Sequence, residues 1–167
     1  ALTRGHAVTL FHRGKTNPGL FPEVEAVVGD RDGGLDVLRG RAWDTVLDVN
    51  GYLPRLVRDS ARLLAGSVGR YAFVSTVSVY ARTDQPGQDE TAPLATPPDP
   101  GVETIDGKTY GGLKVACERA VEAEVPGRNI VIRPGYVVGP WDHTGRFPYW
   151  LRRVAEGLGA ELPQGEA

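Results

Sequence analysis

An α/β fold, a doubly wound parallel sheet with helices on both faces, is the class this sequence predicts. Three observations lead there. The apolar runs that read as strands are short and continuous rather than alternating, the pattern of strands buried on both faces. Each run is followed by a helix or a turn, the order that builds a covered parallel sheet. The residues just after the runs are polar, glycine-rich or hydroxylic, which gathers reactive groups at one rim.

The elements follow in order. The stretch "HAVTLFHRG" holds a buried strand from about Ala7 to His12, closed by polar residues. "EVEAVVGDRDG" holds a second near Val24 to Val28, ended by Gly29-Asp30. "LDVLRG" is a short helical turn ended by Gly40, and "WDTVLDVNG" supplies a third strand from about Thr45 to Val49. "LPRLVRDSARLLAGSVG" is an amphipathic helix: Leu56, Val57, Ala61, Leu63, Leu64 and Val68 face inward, arginines face out, and Gly69 is the expected C-cap. "RYAFVSTVSVY" is a strand running into small hydroxyl residues, and Ala81 to Lys108 is a long segment rich in Pro, Asp, Thr and Gly. Loops of that length inside compact domains are usually functional or mobile. "TYGGLKVACERAVEAE" is the next helix, with Leu113, Val115, Ala116 and Ala120 apolar. "RNIVIRPGYVVGP" is a further buried strand stopped by Arg133-Pro134, and "RFPYWLRRVAEG" reads as a final amphipathic helix.

Composition narrows the function classes. A chain of 167 residues with 41% hydrophobic and 24% charged residues is an ordinary globular one. It is long enough for one domain that buries roughly 70% of its unfolded surface. A formal charge of −2 and a pI near 5.9 argue against a nucleic-acid binder working through a basic face. No apolar run approaches the roughly 20 residues that cross a bilayer. Cys117 is the only cysteine, so neither an internal disulfide nor a cysteine metal cluster is expected, and the expected compartment is the cytoplasm. There is no Met, and "ALTRG" reads as the last turn of a helix already under way, so the expectation is a piece of a longer protein.

Ligands of open parallel sheets bind beyond the carboxyl ends of the strands. Those ends read "HRGKT" (His12 to Thr16), "GDRD" (Gly29 to Asp32), "NGY", "STVSVY" and "RPGYVVGP". Tyr110 sits four residues before Lys114 at the start of a helix. Tyrosine is a poor base at its reference pKa of about 10. An ammonium one helical turn away favours the phenolate and brings the pair nearer to acid–base work. An exposed helix pair is the plainer reading of the same spacing.

The ordered set resembles the short-chain dehydrogenase/reductase superfamily, specifically its extended branch of epimerases, dehydratases and reductases. "FVSTVSVY" looks like that branch's hydroxyl-rich strand end, "YGGLK" matches its Tyr-x-x-x-Lys motif with the usual Gly after Tyr, and "IRPGYVVGP" matches the strand that carries Arg-Pro and ends in Gly-Pro. Order and type agree across nearly the whole chain. The resemblance implies a single partial dinucleotide-binding domain of Rossmann type over residues 1–167, with the substrate-binding part starting at about residue 141. It implies an NAD(P)-dependent oxidoreductase, epimerase or dehydratase acting on a sugar nucleotide or a similar hydroxyl/carbonyl compound. Tyr110 is then the proton donor and acceptor, and Lys114 lowers its pKa and holds the nicotinamide ribose. Counting back from Val79-Tyr80, Thr76 would hydrogen-bond the substrate oxygen, unless its hydroxyl only satisfies local backbone. Leu113 stands where many relatives carry Ser or Thr, and the long stretch between Thr76 and Tyr110 suggests an enlarged substrate-side loop.

For the cofactor, NAD-specific folds place an acid at the end of the second strand, where it accepts from the ribose hydroxyl. Here that position reads Phe11-His12-Arg13-Gly14-Lys15, without an acid and with two cations. A guanidinium suits a 2′-phosphate, so NADP is preferred over NAD, unless Arg13 and Lys15 are simply a solvated loop. Asp30 and Arg31 resemble the pair that lines the adenine ring, with Asp30 as a helix cap the alternative. Asn50 and Gly51 sit where the third-strand rim passes the cofactor, and Pro134, Gly135 and Val137 would border the nicotinamide, Pro134 serving otherwise as a strand terminator. His143, Arg146, Tyr149 and Arg152 lie in or near the last helix; Arg146 could grip an anionic group or simply face solvent. No metal site is expected. A small molecule is the expected partner, with neither nucleic acid nor membrane, and a homodimer is one allowed assembly.

One part of the pattern is missing. A glycine-rich turn between a first strand and first helix lets backbone N–H groups approach a pyrophosphate, and nothing of that kind precedes Ala1. In the 3-2-1-4-5-6 strand order that strand is central, between those at Ala7–His12 and Thr45–Val49. Strands pair about 4.8 Å apart, so the expectation is a gap near 10 Å flanked by two unpaired edges, poor dinucleotide binding and little activity for residues 1–167 alone. The alternatives are a non-catalytic relative that binds nucleotide or RNA, and an inactive fragment.

Overall fold

The computed structural model describes residues 1–17, 19–139 and 145–158. It divides into two compact units, Ala1–Arg133 and Pro134–Ala167. In chain order the elements are β1 (Thr9–His12), β2 (Glu25–Val28), β3 (Trp43–Asp48), α1 (Pro54–Leu64), β4 (Val68–Val74), α2 (Tyr110–Glu124), β5 (Asn129–Ile132) and α3 (Arg146–Ala155), with 3-10 turns at Leu2–Arg4, Leu35–Leu38 and Val77–Val79. The first unit is mixed α/β with parallel sheets.

Every ladder is parallel. β1 pairs with β2, from Thr9 opposite Glu25 to His12 opposite Val28. β4 lies between β3 and β5, with Leu47 opposite Ala72 and Ala72 opposite Ile130. The ladders fall into two sheets, in the orders β1-β2 and β3-β4-β5. β1 and β3 therefore each end a sheet, and these are the two strands between which the expected gap falls.

One face of the three-stranded sheet makes the core. Tyr71 and Phe73, 1% and 0% exposed, pack with Val57, Ala61 and Leu64 of α1 and Cys117 and Val121 of α2. Val27 of β2 and Leu38 join the same cluster, so both sheets contribute to one core. The opposite face differs from expectation. Leu47 is 58% exposed, and Ile130 and Ile132 are also exposed. Their register places them on the face away from α1 and α2. The apolar runs suit two-sided burial, but the helices among the described residues of this unit cover one side only.

Helix α1 begins where Pro54 fixes the first helical position and Leu53 before it stays extended. It ends earlier than its amphipathic pattern suggests. Val68 and Gly69 lie in β4, not at the end of the helix. Gly69 is a strand glycine for a steric reason: a Cβ there would stand 2.6 Å from the Asp44 carbonyl oxygen of β3. Helix α2 is buried nearly all round, with Leu113, Val115, Cys117, Ala120 and Val121 all inside. The segment from Ala81 to Lys108 is held at several points. Ala81 N–H donates to Pro93 O and Ala95 N–H to Val79 O, at 2.8 and 2.7 Å. Arg55 of α1 then clasps Glu103 at 2.5 Å and Asp32 at 2.8 Å.

An ion pair between a partly buried arginine and a buried aspartate crosses from one sheet to the other. Arg31, just after β2, presents five N–H donors, and all find acceptors. Nη1 donates to Asp48 Oδ1 (2.6 Å) and Asn50 O (3.2 Å), Nη2 to Asp48 Oδ2 (2.5 Å) and Ser60 Oγ (2.6 Å), and Nε to Leu56 O (3.2 Å). Tyr71 Oη donates to Asp48 Oδ2 at 2.8 Å. Burial works against the charged guanidinium, yet its hydrogen bonds and charge attraction to Asp48 raise the Arg31 pKa overall. The same burial, with the Asp48 charge beside it, raises the Tyr71 phenol.

The second unit contains α3, which starts after Gly145 at φ 65°. Tyr149 meets Trp150 edge to face, with centroids 5.2 Å apart, and Arg153 lies 5.8 Å from the Tyr149 ring centroid.

Removing one partner of a buried pair strands the other charge. Arg31→Met is expected to lower unfolding stability by about 3 kcal/mol, measured by urea titration. The double variant Arg31→Met/Asp48→Leu should recover part of that loss, because no uncompensated charge then remains.

Candidate functional site

The C-terminal rim of the three-stranded sheet brings together Asn50, Gly51, Thr76 and Lys114, with Tyr110 one helical turn before Lys114. Lys114 reaches it from α2. The side chain is buried, 3% exposed, and its ammonium donates to Gly51 O at 2.7 Å and Val74 O at 2.8 Å. Val74 is the last residue of β4, and Gly51 lies three residues after β3. The ammonium also stands 4.2 Å from the Phe73 ring centroid and 5.5 Å from that of Tyr52, within the reach of cation–π attraction. Two of its three donors are engaged by these bonds, leaving one for a ligand oxygen. Burial is the main influence on its acidity and holds Lys114 below the ordinary lysine range, against the attraction of Asp48 and Glu118.

Tyr110 opens α2 one turn earlier. Its N–H donates to Asp106 O at 2.9 Å, and the Asp106 carboxylate accepts from the N–H groups of Lys108 (2.8 Å) and Thr109 (2.9 Å). Those bonds, that to Thr109 first, hold Asp106 below the usual carboxylate range. The Tyr110 ring lies 6.2 Å from that of Tyr52 at an interplanar angle of 39°. The two glycines that follow have steric reasons. A Cβ on Gly111 would run into the Ser78 carbonyl oxygen, and one on Gly112 would stand 2.5 Å from Thr96 O. The paired glycines let this helix end lie directly against the turn after β4 and the proline-rich segment. A cavity of about 600 Å3 borders Tyr110, with Ser78, Leu94, Thr96, Lys108 and Gly111 among its walls.

The other sequence-predicted residues divide. Thr76 is buried at the same rim, but its hydroxyl is used locally: Oγ1 accepts from Ser78 N–H at 3.1 Å and donates to Ser78 Oγ at 3.2 Å. The neighbouring Ser75 Oγ is buried with no hydrogen-bond partner among the described residues. Asn50 and Gly51 stand at the rim; Gly51 is buried so closely that a Cβ would meet Phe73 Cε2 at 2.5 Å. Arg13 is exposed just after β1, in a turn where Gly14 N–H donates to His12 Nδ1 at 2.9 Å. Asp30 accepts from Asp32 N–H at 3.0 Å and so shapes its own turn, while Gly34 takes the position before the 3-10 turn. Arg31 is turned into the fold with all five donors engaged, which leaves it none to offer a ligand. Pro134, Gly135 and Val137 belong to the second unit; Pro134 is half-buried and the other two are exposed. His143 and the side chain of Arg146 lie outside the described residues. Arg152 is exposed on α3.

The structure adds Tyr52, to which the motif reading assigns no role. The signal available was an aromatic residue at a strand end, directly after Asn50-Gly51 and two residues before a helix-starting proline. Cys117 is no nucleophile here, since burial pushes its thiol up to about 12. Among the described residues no group of three or more His, Cys, Asp and Glu could hold a metal ion, and no helix is long and apolar enough to cross a membrane. Neither a protein-family model nor a curated protein matches the chain.

The site thus offers a phenol and a dry ammonium on one helix turn, set at the rim of a parallel sheet. The Lys114 environment has a pH signature. Its folded pKa lies below the ordinary 10.5, so between the two values the unfolded chain binds more protons and stability rises with pH. Burial raises the Cys117 and Tyr71 pKa values and so works the other way in the same range. Urea titrations across the alkaline range should therefore show the Lys114 contribution as a difference, stability depending on pH less favourably in Lys114→Met than in the wild type.

Proposed function

We propose that the chain belongs to an NAD(P)-dependent oxidoreductase, epimerase or dehydratase of the extended short-chain dehydrogenase/reductase type, NADP being the preferred cofactor. The observation that carries this reading is the placement of Lys114: its ammonium is drawn to the C-terminal ends of β3 and β4, the rim at which open parallel sheets bind ligands, one turn from Tyr110. The doubly wound Rossmann arrangement is part of the same proposal. β1 and β3 are the strands between which that order seats one more parallel strand, and each ends its sheet.

The residues fit a dinucleotide in part. Arg13 and Lys15 are exposed cations after β1, suited to a 2′-phosphate, and Asn50, Gly51 and Lys114 line the rim. Arg31 drops out of the set because its guanidinium is spent on Asp48. The dinucleotide would supply or take the hydride. The chain's own residues handle the proton: Tyr110 Oη gives it to, or takes it from, the substrate oxygen, with the Lys114 ammonium one helical turn away. Thr76 orients the substrate oxygen by exchanging its bond to Ser78 for one to the ligand. The cavity beside Tyr110 receives the remainder of a small hydroxyl or carbonyl substrate, a sugar nucleotide being the class the resemblance suggests.

Equilibrium binding of NADPH and NADH to the native protein containing these residues tests the reading. NADPH should bind more tightly, and Arg13→Ala should weaken NADPH roughly tenfold while sparing NADH. Absence of binding for both dinucleotides would overturn it. Tyr110→Phe should abolish turnover while retaining dinucleotide affinity; turnover that survives the change would assign the protein to a different chemistry.

A further inference from the structure

We infer that Tyr52 is a positioning residue of this site, a cover that keeps the Lys114 ammonium dry and directed at the strand-end carbonyls. The inference rests on the placement of Tyr52 and its neighbours. The Tyr52 ring lies 5.5 Å from Lys114 Nζ and 6.2 Å from the Tyr110 ring, so it touches the environment of both members of the pair. The other ring beside the ammonium, Phe73 at 4.2 Å, is fully buried, whereas Tyr52 is 43% exposed, so of the two rings it is Tyr52 that faces solvent. Tyr52 is therefore the wall between the ammonium and solvent. Its backbone is also pinned from both sides. Gly51 before it has no room for a side chain and accepts from Lys114 through its carbonyl, while Leu53 after it is held extended by Pro54. A ring so fixed costs little conformational entropy to place.

The charged and titratable neighbours of Lys114 are Asp48 at the end of β3, Cys117 and Glu118 on α2, Arg31 after β2, and the phenols of Tyr52 and Tyr110. None of the carboxylates forms an ion pair with it: Asp48 is committed to Arg31, and Glu118 to Arg133 at 2.7 Å. The ammonium thus depends for its place on two carbonyls and two rings. Opening the Tyr52 side admits water, which screens its charge as seen from Tyr110. The catalytic meaning of Tyr52 rests on the acid–base reading of Tyr110 and Lys114; the cover itself is tested without turnover.

The chain contains 3 lysines, so a protein labelled with 13Cε-lysine gives resolvable signals whose midpoints are followed by NMR titration, Lys114→Met assigning the site. Tyr52→Ala should move the Lys114 midpoint upward, toward the ordinary lysine range. Tyr52→Phe and Tyr52→Leu, which restore an apolar cover, should hold it near the wild-type position. An unchanged or lowered midpoint in Tyr52→Ala, with the Leu variant folded as a reference, overturns the inference. If the protein proves to be the proposed oxidoreductase, the alkaline limb of its kcat profile should shift in Tyr52→Ala alone; failure of that reading would leave the titration result standing.

Discussion

The pairing of Arg31 with Asp48 is the contact on which the first unit depends. Two parallel sheets that share no ladder must be joined by something other than backbone hydrogen bonds. Arg31 follows β2 and Asp48 ends β3, and their fork-to-fork contact crosses the break between them. Ser60 draws α1 into the same knot and Tyr71 draws in β4. The shared core under α1 and α2 adds non-directional adhesion, and the ion pair adds a directional contact between the sheets. A buried charge pair is a poor source of net stability and a good source of specificity when every lone pair and proton is used, as here.

The same contact settles how far sequence motifs can be read as ligand contacts. An arginine after the second strand suits an adenine-lining role by position, and nothing in the local sequence reveals that Asp48, seventeen residues on, will claim it. Long-range pairing of this kind is set by topology, which short motifs do not encode. Elements fared better than partners. β1 to β5 and both helices of the first unit lie where apolar periodicity puts them, because burial of one face is a local pattern. The start of β4 was less legible: Val68 and Gly69 continue the amphipathic spacing of α1, and only the proximity of the Asp44 carbonyl explains why glycine stands in a strand.

The site shows a similar division. Tyr110, Gly111 and Lys114 were visible because their relation is one helical turn. Gly112 joins them once the backbone of Thr96 is known to press on it. Tyr52 could not be found by spacing, since its closeness to Tyr110 arises from the packing of α1 against α2 across the sheet end. The two-sided burial expected of the strands is the larger difference. Continuous apolar runs report that a strand is suited to burial on both faces; they do not say what supplies the cover.

The uncovered face has a practical meaning for the isolated polypeptide. Leu47, Ile130 and Ile132 form an apolar surface beside strand ends that can accept further hydrogen bonds. Such a surface is adhesive toward any extended segment, including those of identical molecules. Residues 1–167 handled alone are therefore expected to self-associate increasingly as their concentration rises.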